Sequence, residues 1–465
     1  MTTVAVFDIG KTNVKLSAVT QDGEILEMLS TPNVVLDEPP YRHHDLAALE
    51  TWLIDSLRNL ARRHPIEAVV ISAHGSGGVL TGVDGPAMPM MDYEQQVPEY
   101  VDRIYRSAVG NYRERGSGIM LGAAHLARQM LWQQMYWPHE FSRARAFLAT
   151  PQYWAWRLCG VAASEITSLA AQSHLWTPAD RRPAKIVADR GWQHLVPQMR
   201  RAWETLGSIR PELAVSTGLS PQTRVLCGVH DSSANFYRYQ AAGLSDMTVV
   251  STGTWIVLLT DRTGVDFDKE RPGHACNADV FGHPMPGMLT MGGREFAAVA
   301  GSATGPASAE ALARIVSSGT LALPTFGPDD GLFPGTAKSG RIDGELAEDP
   351  SARFTLAVLY AALLTAECVG DLPHAETVIL DGNFVAEPLY GPLVAALLPE
   401  VRVLVSSNFN GTATGAALLA GHETRREPAR LSATVCDASG LPDLSSYRER
   451  WRDRARSKEY SRDLV

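Results

Sequence analysis

The residues of this chain best suited to chemistry are carboxylates, hydroxyls and lysines gathered at two glycine turns, about half a chain apart. In the first, Asp8 ends an apolar strand and leads into Ile9-Gly10-Lys11-Thr12-Asn13-Val14-Lys15; in the second, an apolar strand runs into Ser251-Thr252-Gly253-Thr254. Backbone N–H groups at a glycine turn can approach phosphate oxygens closely, because no Cβ intervenes. Asp8 could hold Mg²⁺, directly or through water, while Lys11 or Lys15 neutralises phosphate charge. One such turn alone is more often a plain hairpin. Two of them facing each other would clasp a polyphosphate, which points to an ATP-dependent phosphotransferase.

Transfer to an alcohol also needs a carboxylate to take the hydroxyl proton. Asp231 suits this role, at the end of the apolar strand 224–229, after Gly228 and beside His230. The run Asp231-Ser232-Ser233 would also cap a following helix, and the two roles are compatible. His74 follows the strand 68–73 and opens the loop Gly75-Ser76-Gly77-Gly78, where it could bond a polyol or serve the structure. Asp92-Tyr93-Glu94 could line the same pocket or form an ordinary acidic loop. Trp132, Trp137, Trp154, Trp156 and Trp176 could stack on a sugar ring, although helical aromatics usually belong to a core.

The elements that must position these groups follow a repeated order. Residues 2–30 read as strand, turn and strand, with Gln21-Asp22-Gly23 as a hairpin turn. A leucine stripe at 46, 49, 53, 57 and 60 predicts a helix over 45–63. The stretch 96–200 reads as mostly helical. In the second half a hairpin at 247–260 precedes an irregular Gly/Pro-rich region, 264–340. A helix at 350–370 and a strand at 377–380 follow, the strand ending at Asp381-Gly382-Asn383. This repetition predicts a duplicated α/β unit. Ligands in such sheets sit beyond the carboxyl ends of strands, so His74, Asp231, Gly253 and Gly382 should converge on one cleft. The expected domains are 1–240 and 241–425, with a charged C-terminal segment, 426–465, whose arginine-rich part reads as a solvated helix face.

Composition narrows the class. At 465 residues the chain exceeds what one core normally supports. Its 45% hydrophobic and 20% charged residues fit a soluble globular protein, and its net charge of −9 argues against a nucleic-acid partner. Neither a membrane-spanning run nor a signal peptide is read from the sequence. The five cysteines are scattered and form no CxxC pair, so neither a zinc site nor a disulfide framework is expected, and the expected location is cytoplasmic. The glycine turns run strand to strand, unlike P-loop and Rossmann turns, and no GxxxxGK[ST], HExxH or GxSxG motif occurs.

In this order the motifs resemble the FGGY family of carbohydrate kinases, within the actin/hexokinase/Hsp70 superfamily, over roughly residues 4–420. Asp8–Lys15 is similar to the family's first phosphate motif, Gly228–Asp231 to its catalytic-aspartate segment, and Ser251–Thr254 to its second phosphate motif. Leu380-Asp381-Gly382-Asn383-Phe384 occupies the place of the adenosine motif, and Thr414-Gly415-Ala416-Ala417 closes the pattern. The resemblance implies an α/β fold of two ribonuclease-H-like domains around a central cleft. ATP would lie largely on the second domain and a small sugar on the first, with closure excluding water.

The same resemblance implies roles for residues. Asp231 would be the base, and Asp8 would hold Mg²⁺ through water. Gly10, Lys11, Thr12, Asn13 and Lys15 would meet phosphate from one side, and Ser251, Thr252, Gly253 and Thr254 from the other. Gly382, Asn383 and Asn410 would contact the nucleotide, and His74, Ser76, Asp92 and His230 the sugar. His230-Asp231 and Thr12-Asn13-Val14 are most similar to fuculokinases and rhamnulokinases, and His74-Gly75 to xylulokinases. A five- or six-carbon ketose is therefore expected, with glycerol or a short sugar acid as the alternative; a homodimer would be common in the family.

Some positions depart from the family pattern. Asp381 stands in place of a glycine, Asn410 in place of a glutamate and Gln129 in place of a lysine, and no arginine follows Asp92. These leave open a non-catalytic regulator that binds sugar or nucleotide. An actin-like ATPase is a third reading, against which the long 96–200 segment speaks.

Overall fold

The computed structural model describes residues 3–328, 331–408 and 410–457. Strands β1 (Thr3–Ile9) and β2 (Asn13–Thr20) are buried along almost their whole length, as expected of strands covered on both faces. β2 pairs antiparallel with β1 and with β3 (Ile25–Pro32). Helix α1 (Leu46–Ala61) buries the leucine stripe against this sheet and returns the chain to β4 (Ile66–Ala73), parallel to β1.

The segment 96–200 is less helical than expected. Helices such as α2 (Leu126–Tyr136) alternate with short strands, including the pair Trp176–Thr177 with Arg182–Pro183. Its aromatics build a core of their own, so most of the tryptophans pack there. β5 (Thr205–Ser208) and β6 (Arg224–Leu226) complete a sheet ordered β5–β6–β4–β1–β2–β3, while β7 (Val229–His230) also pairs with β4. The strand expected over 224–229 is thus broken. Gly228 has φ 88°, and a Cβ there would lie 2.7 Å from the Ile71 carbonyl. The kink sets His230 beside Ala73 at the start of helix α3 (Asp231–Ala241).

The second unit repeats the plan. β8 (Met247–Thr252) pairs antiparallel with β9 (Ile256–Thr260). β10 (His274–Ala278), β11 (Pro284–Thr290) and helix α4 (Gly292–Ala300) occupy part of the region expected to be irregular. Several glycines there, among them Gly273, Gly282 and Gly301, hold positive φ next to short elements. Helix α5 (Pro350–Asp371) leads to β12 (Thr377–Gly382), parallel to β8, and to β13 (Arg402–Ser406), parallel to β12. After helix α6 (Gly411–Leu419), strand β14 (Ala433–Val435) closes the order β10–β11–β9–β8–β12–β13–β14.

α5 corrects the expectation that no run is long enough to span a membrane. Its 22 residues meet that test by length and composition, yet 83% of the apolar window is buried in the second core. α6 belongs in space to the first sheet, on which Ala413 and Ala416 to Ala420 pack. Its crossing with α3 is so close that a Cβ on Gly415 would lie 1.8 Å from the Ala234 carbonyl. The C-terminal helix α7 (Ser445–Arg456) keeps a solvated face, with Glu449, Arg450, Asp453 and Arg454 exposed, and also carries a buried one. It buries Tyr447, Trp451 and Ala455 in the second core, while Arg448, Arg452 and Arg456 converge on the buried Glu367 of α5.

Candidate active site

The first glycine turn joins β1 to β2. The Gly10 N–H donates to the Asn13 carbonyl at 3.0 Å, and a Cβ on Gly10 would crowd that oxygen at 2.9 Å. Thr12 and Asn13 are exposed on the turn, and Lys15 lies opposite Asp8 in the ladder. Lys11 is directed away from its own turn. Its ammonium forms an ion pair with Asp92, lies 3.7 Å from Glu94, and sits 4.7 Å over the Tyr93 ring.

Asp231 is the first residue of α3, where the helix dipole favours a carboxylate. One of its oxygens accepts from the Ser232 N–H at 2.6 Å and lies 3.1 Å from His230 Nε2. The His230 N–H is anchored on the Thr167 hydroxyl at 2.9 Å. Burial pulls the His230 imidazole down, against the upward pull of Asp231. Burial and the Asp231 charge together push Asp8 up to about 7, with Lys15 opposing. Two carboxylates that repel each other in this way would suit a hydrated Mg²⁺, which Asp8 could hold.

Near this pair lies a set of polar side chains with buried atoms that the protein leaves without hydrogen bonds. His74 follows β4 with its N–H on the Ile9 carbonyl, and both ring nitrogens are buried and unbonded. Burial lowers its imidazole to about 4, although Asp231 pulls the other way. The Asp92 side chain is fully buried and lies 3.4 Å from Arg42. Burial opposes its ionisation, but the Lys11 ammonium holds its carboxyl below the ordinary value; its Oδ2 makes no hydrogen bond. Gln129, on α2, donates to the Ser76 carbonyl at 2.9 Å and the Ala123 carbonyl at 2.7 Å, leaving Oε1 unbonded. The loop glycines permit this crowding: a Cβ on Gly75 would meet His230 Nε2 at 3.3 Å, and one on Gly77 would meet His74 at 3.3 Å.

The second turn is braced from an element not foreseen in the sequence. The Gly253 N–H donates to the Trp255 carbonyl at 2.8 Å, and the Gly293 N–H to the Thr254 carbonyl at 3.1 Å. A Cβ on Gly293 would lie 2.2 Å from the Gly253 carbonyl, so α4 starts hard against the turn. Asp231 and Ser251 line one small cavity between α3 and the second sheet, together with Ser232, Asn235 and Thr412. Gly382 holds φ 88°, with its Cβ position 2.2 Å from the Thr252 carbonyl, and Thr252 Oγ1 donates to the Asp381 carbonyl at 2.7 Å. Asn383 opens the short helical turn Asn383–Ala386, and Asn410 stands at the start of α6 with its carbonyl bonded to the Thr414 N–H.

Asp381 is explained by burial. Its Oδ2 accepts from Arg238 at 2.7 Å and from Asn235 at 2.8 Å, and its Oδ1 accepts from the Gly382 N–H at 2.8 Å. It is the counter-charge of Arg238, a cation on the helix that carries Asp231. Sequence reasoning missed Arg238, Gly293, Asn33 and His44. Arg238 lies within a helix of ordinary composition, and the others lie in stretches without regular spacing.

The sequence model described as FGGY family of carbohydrate kinases, N-terminal domain, matches residues 3–236, and carbohydrate kinase FGGY, C-terminal domain, matches residues 244–428. A carbohydrate kinase from Novosphingobium aromaticivorans superposes with a TM-score of 0.87 at 30% identity, over 96% of this chain and 99% of its own. Plasmodium falciparum glycerol kinase with ADP gives a TM-score of 0.81 over 100% of this chain and 99% of its own; at 15% identity that likeness speaks for the fold alone. L-fuculokinase from Escherichia coli (strain K12) is 24% identical over 288 residues, 59% of this chain. The match spans 60% of that relative's length.

Proposed function

Because this chain belongs to the FGGY family of carbohydrate kinases and has the actin/hexokinase-like fold, we propose that it transfers the γ-phosphoryl group of ATP to a hydroxyl of a small sugar. The proposed acceptor is a five- or six-carbon ketose such as L-fuculose, L-rhamnulose or xylulose. The observation that carries this reading is the set of buried, unbonded polar atoms on His74, Asp92 and Gln129, beside the Asp8–Asp231 carboxylate pair. Buried polar atoms normally have partners, and a polyol supplies several donors and acceptors at once. The first of the curated relatives matched is an L-fuculokinase, which favours the ketose.

In this mechanism His74, Asp92 and Ser76 bind the sugar, while His230 holds Asp231 in place. Asp231 accepts the proton of the attacking hydroxyl as its oxygen bonds to the γ-phosphorus and the bond to the bridging oxygen of ADP breaks. Asp8 would hold Mg²⁺ through water; when bound, the ion neutralises phosphate charge. The amides and hydroxyls at Gly10–Asn13 and Ser251–Thr254, with Lys15, cradle the phosphates. Gly382, Asn383 and Asn410 face the nucleoside. Lys11 is assigned to orienting Asp92, in keeping with its ion pair.

ADP release should be measured from ATP and Mg²⁺ with a panel of ketoses, glycerol and D-gluconate, beside Asp231→Ala. Turnover with one acceptor, lowered at least about a thousandfold in the variant, is expected, from removal of the base and of a carboxylate oriented at the reacting hydroxyl. Nucleotide binding without acceptor-stimulated turnover would overturn the reading in favour of a regulator or an ATPase.

A further inference from the structure

Two buried residues next to the sugar pocket, Asn33 and His44, have no role in the mechanism above. Asn33 braces the first glycine turn: its backbone N–H donates to the Thr12 carbonyl and its Nδ2 to the Gly10 carbonyl, each at 2.8 Å. With Nδ2 engaged as donor, its Oδ1 accepts, and His44 Nδ1 lies 3.0 Å from it. This contact fixes the histidine tautomer. The proton is on Nδ1, so Nε2 presents a lone pair.

His44 Nε2 is buried and without a hydrogen-bond partner. The His44 ring lies tilted against that of His74 with centroids 6.5 Å apart, and the charges of Lys11 and Asp92 act on it. Its backbone is pinned by the Met90 carbonyl at 2.9 Å, two residues before Asp92. The ring therefore offers a donor on the turn side and, at Nε2, an acceptor that no protein group takes. A buried acceptor left unpaired is costly to keep, so it calls for an occupant.

We propose that His44 is a specificity residue, accepting a hydrogen bond from one sugar hydroxyl at Nε2, and that Asn33 relays this contact to the Gly10–Thr12 turn that cradles phosphate. The sugar must then present a hydroxyl, not a hydrogen or a carbonyl, at this point. Sugar binding in turn steadies the phosphate turn. The inference rests on the kinase reading and extends it to the choice of acceptor.

Three variants separate the parts. His44→Asn keeps an N–H near the Nδ1 position and removes the atom at Nε2. His44→Ala removes both, and Asn33→Ala removes the brace. Binding of each sugar in the panel, and of a non-hydrolysable ATP analogue with Mg²⁺, is measured by calorimetry beside ADP release and thermal unfolding. His44→Asn should weaken sugar binding and raise sugar KM about five- to tenfold, the loss of one hydrogen bond, with nucleotide affinity held within about twofold. Asn33→Ala should weaken nucleotide by a similar factor, and His44→Ala should weaken both ligands.

Unchanged sugar affinity in His44→Asn would overturn the proposal, as would unchanged nucleotide affinity in Asn33→Ala. A merely structural role would lower the unfolding temperature without this split between ligands. If sugar binding follows the pattern but the wild type releases no ADP with it, the kinase reading falls while the assignment of His44 stands. If no sugar binds the wild type, both fall.

Discussion

Replacing Asp8 by asparagine should stabilise the unliganded protein and inactivate it, and the size of the gain should depend on pH. Burial and the neighbouring Asp231 raise the Asp8 carboxyl from its ordinary 3.8 to about 7. At about 1.4 kcal/mol per pH unit, this sets a ceiling of about 4 kcal/mol on the penalty. Between these two values the folded state holds a proton that the unfolded chain releases. Stability from this group is thus fully present below pH 4, falls as pH rises, and is lost above pH 7. The uncharged amide has no such dependence.

Asp8→Asn should therefore match the wild type near pH 4 and exceed it by about 2–4 kcal/mol at pH 8, measured by urea unfolding across that range. At pH 8, Mg²⁺ with nucleotide should stabilise the wild type more than the variant, and ADP release should be lost. A difference in stability that is the same at pH 4 and pH 8 would refute the reasoning, because charge would then not be its source.

Other perturbations test the supports of the site. Asp381→Ala leaves Arg238, 3% exposed, as a buried cation without its partner, and should cost about 3–5 kcal/mol in chemical denaturation; a loss below about 1 kcal/mol would sink the counter-charge account. Gly382→Ala forces a side chain into a left-handed conformation, 2.2 Å from the Thr252 carbonyl. It should raise KM for ATP at least about tenfold, with sugar KM little changed. Glu367→Gln leaves the arginines of α7 able to hydrate, so a smaller cost of about 1–3 kcal/mol is expected, accompanied by faster proteolysis within 445–456.

Much of the fold was legible because its signals are local. The strands around Asp8 and Ser251, the leucine stripe of α1 and the apolar strand ending at Asp381 all carry periodicity that a few residues suffice to show. Repetition of that order implied two related units, and the paired glycine turns implied a phosphate site. Boundaries blurred wherever glycine and proline punctuate short elements, as between 264 and 340. The kink at Gly228 was equally hidden, because the carbonyl that demands a glycine belongs to Ile71, far away in sequence.

The sequence by itself pointed to the proposed chemistry: Asp8, Asp231 and two glycine turns are types and spacings that need no partner to be recognised. Only the tertiary structure decided what surrounds them. It turned Lys11 toward Asp92 and made Asp381 the counter-charge of Arg238. It carried α6 back onto the first sheet and set His44 against Asn33. These are encounters between residues from eleven to several hundred positions apart. Packing and burial create them, and no local pattern in the chain encodes them.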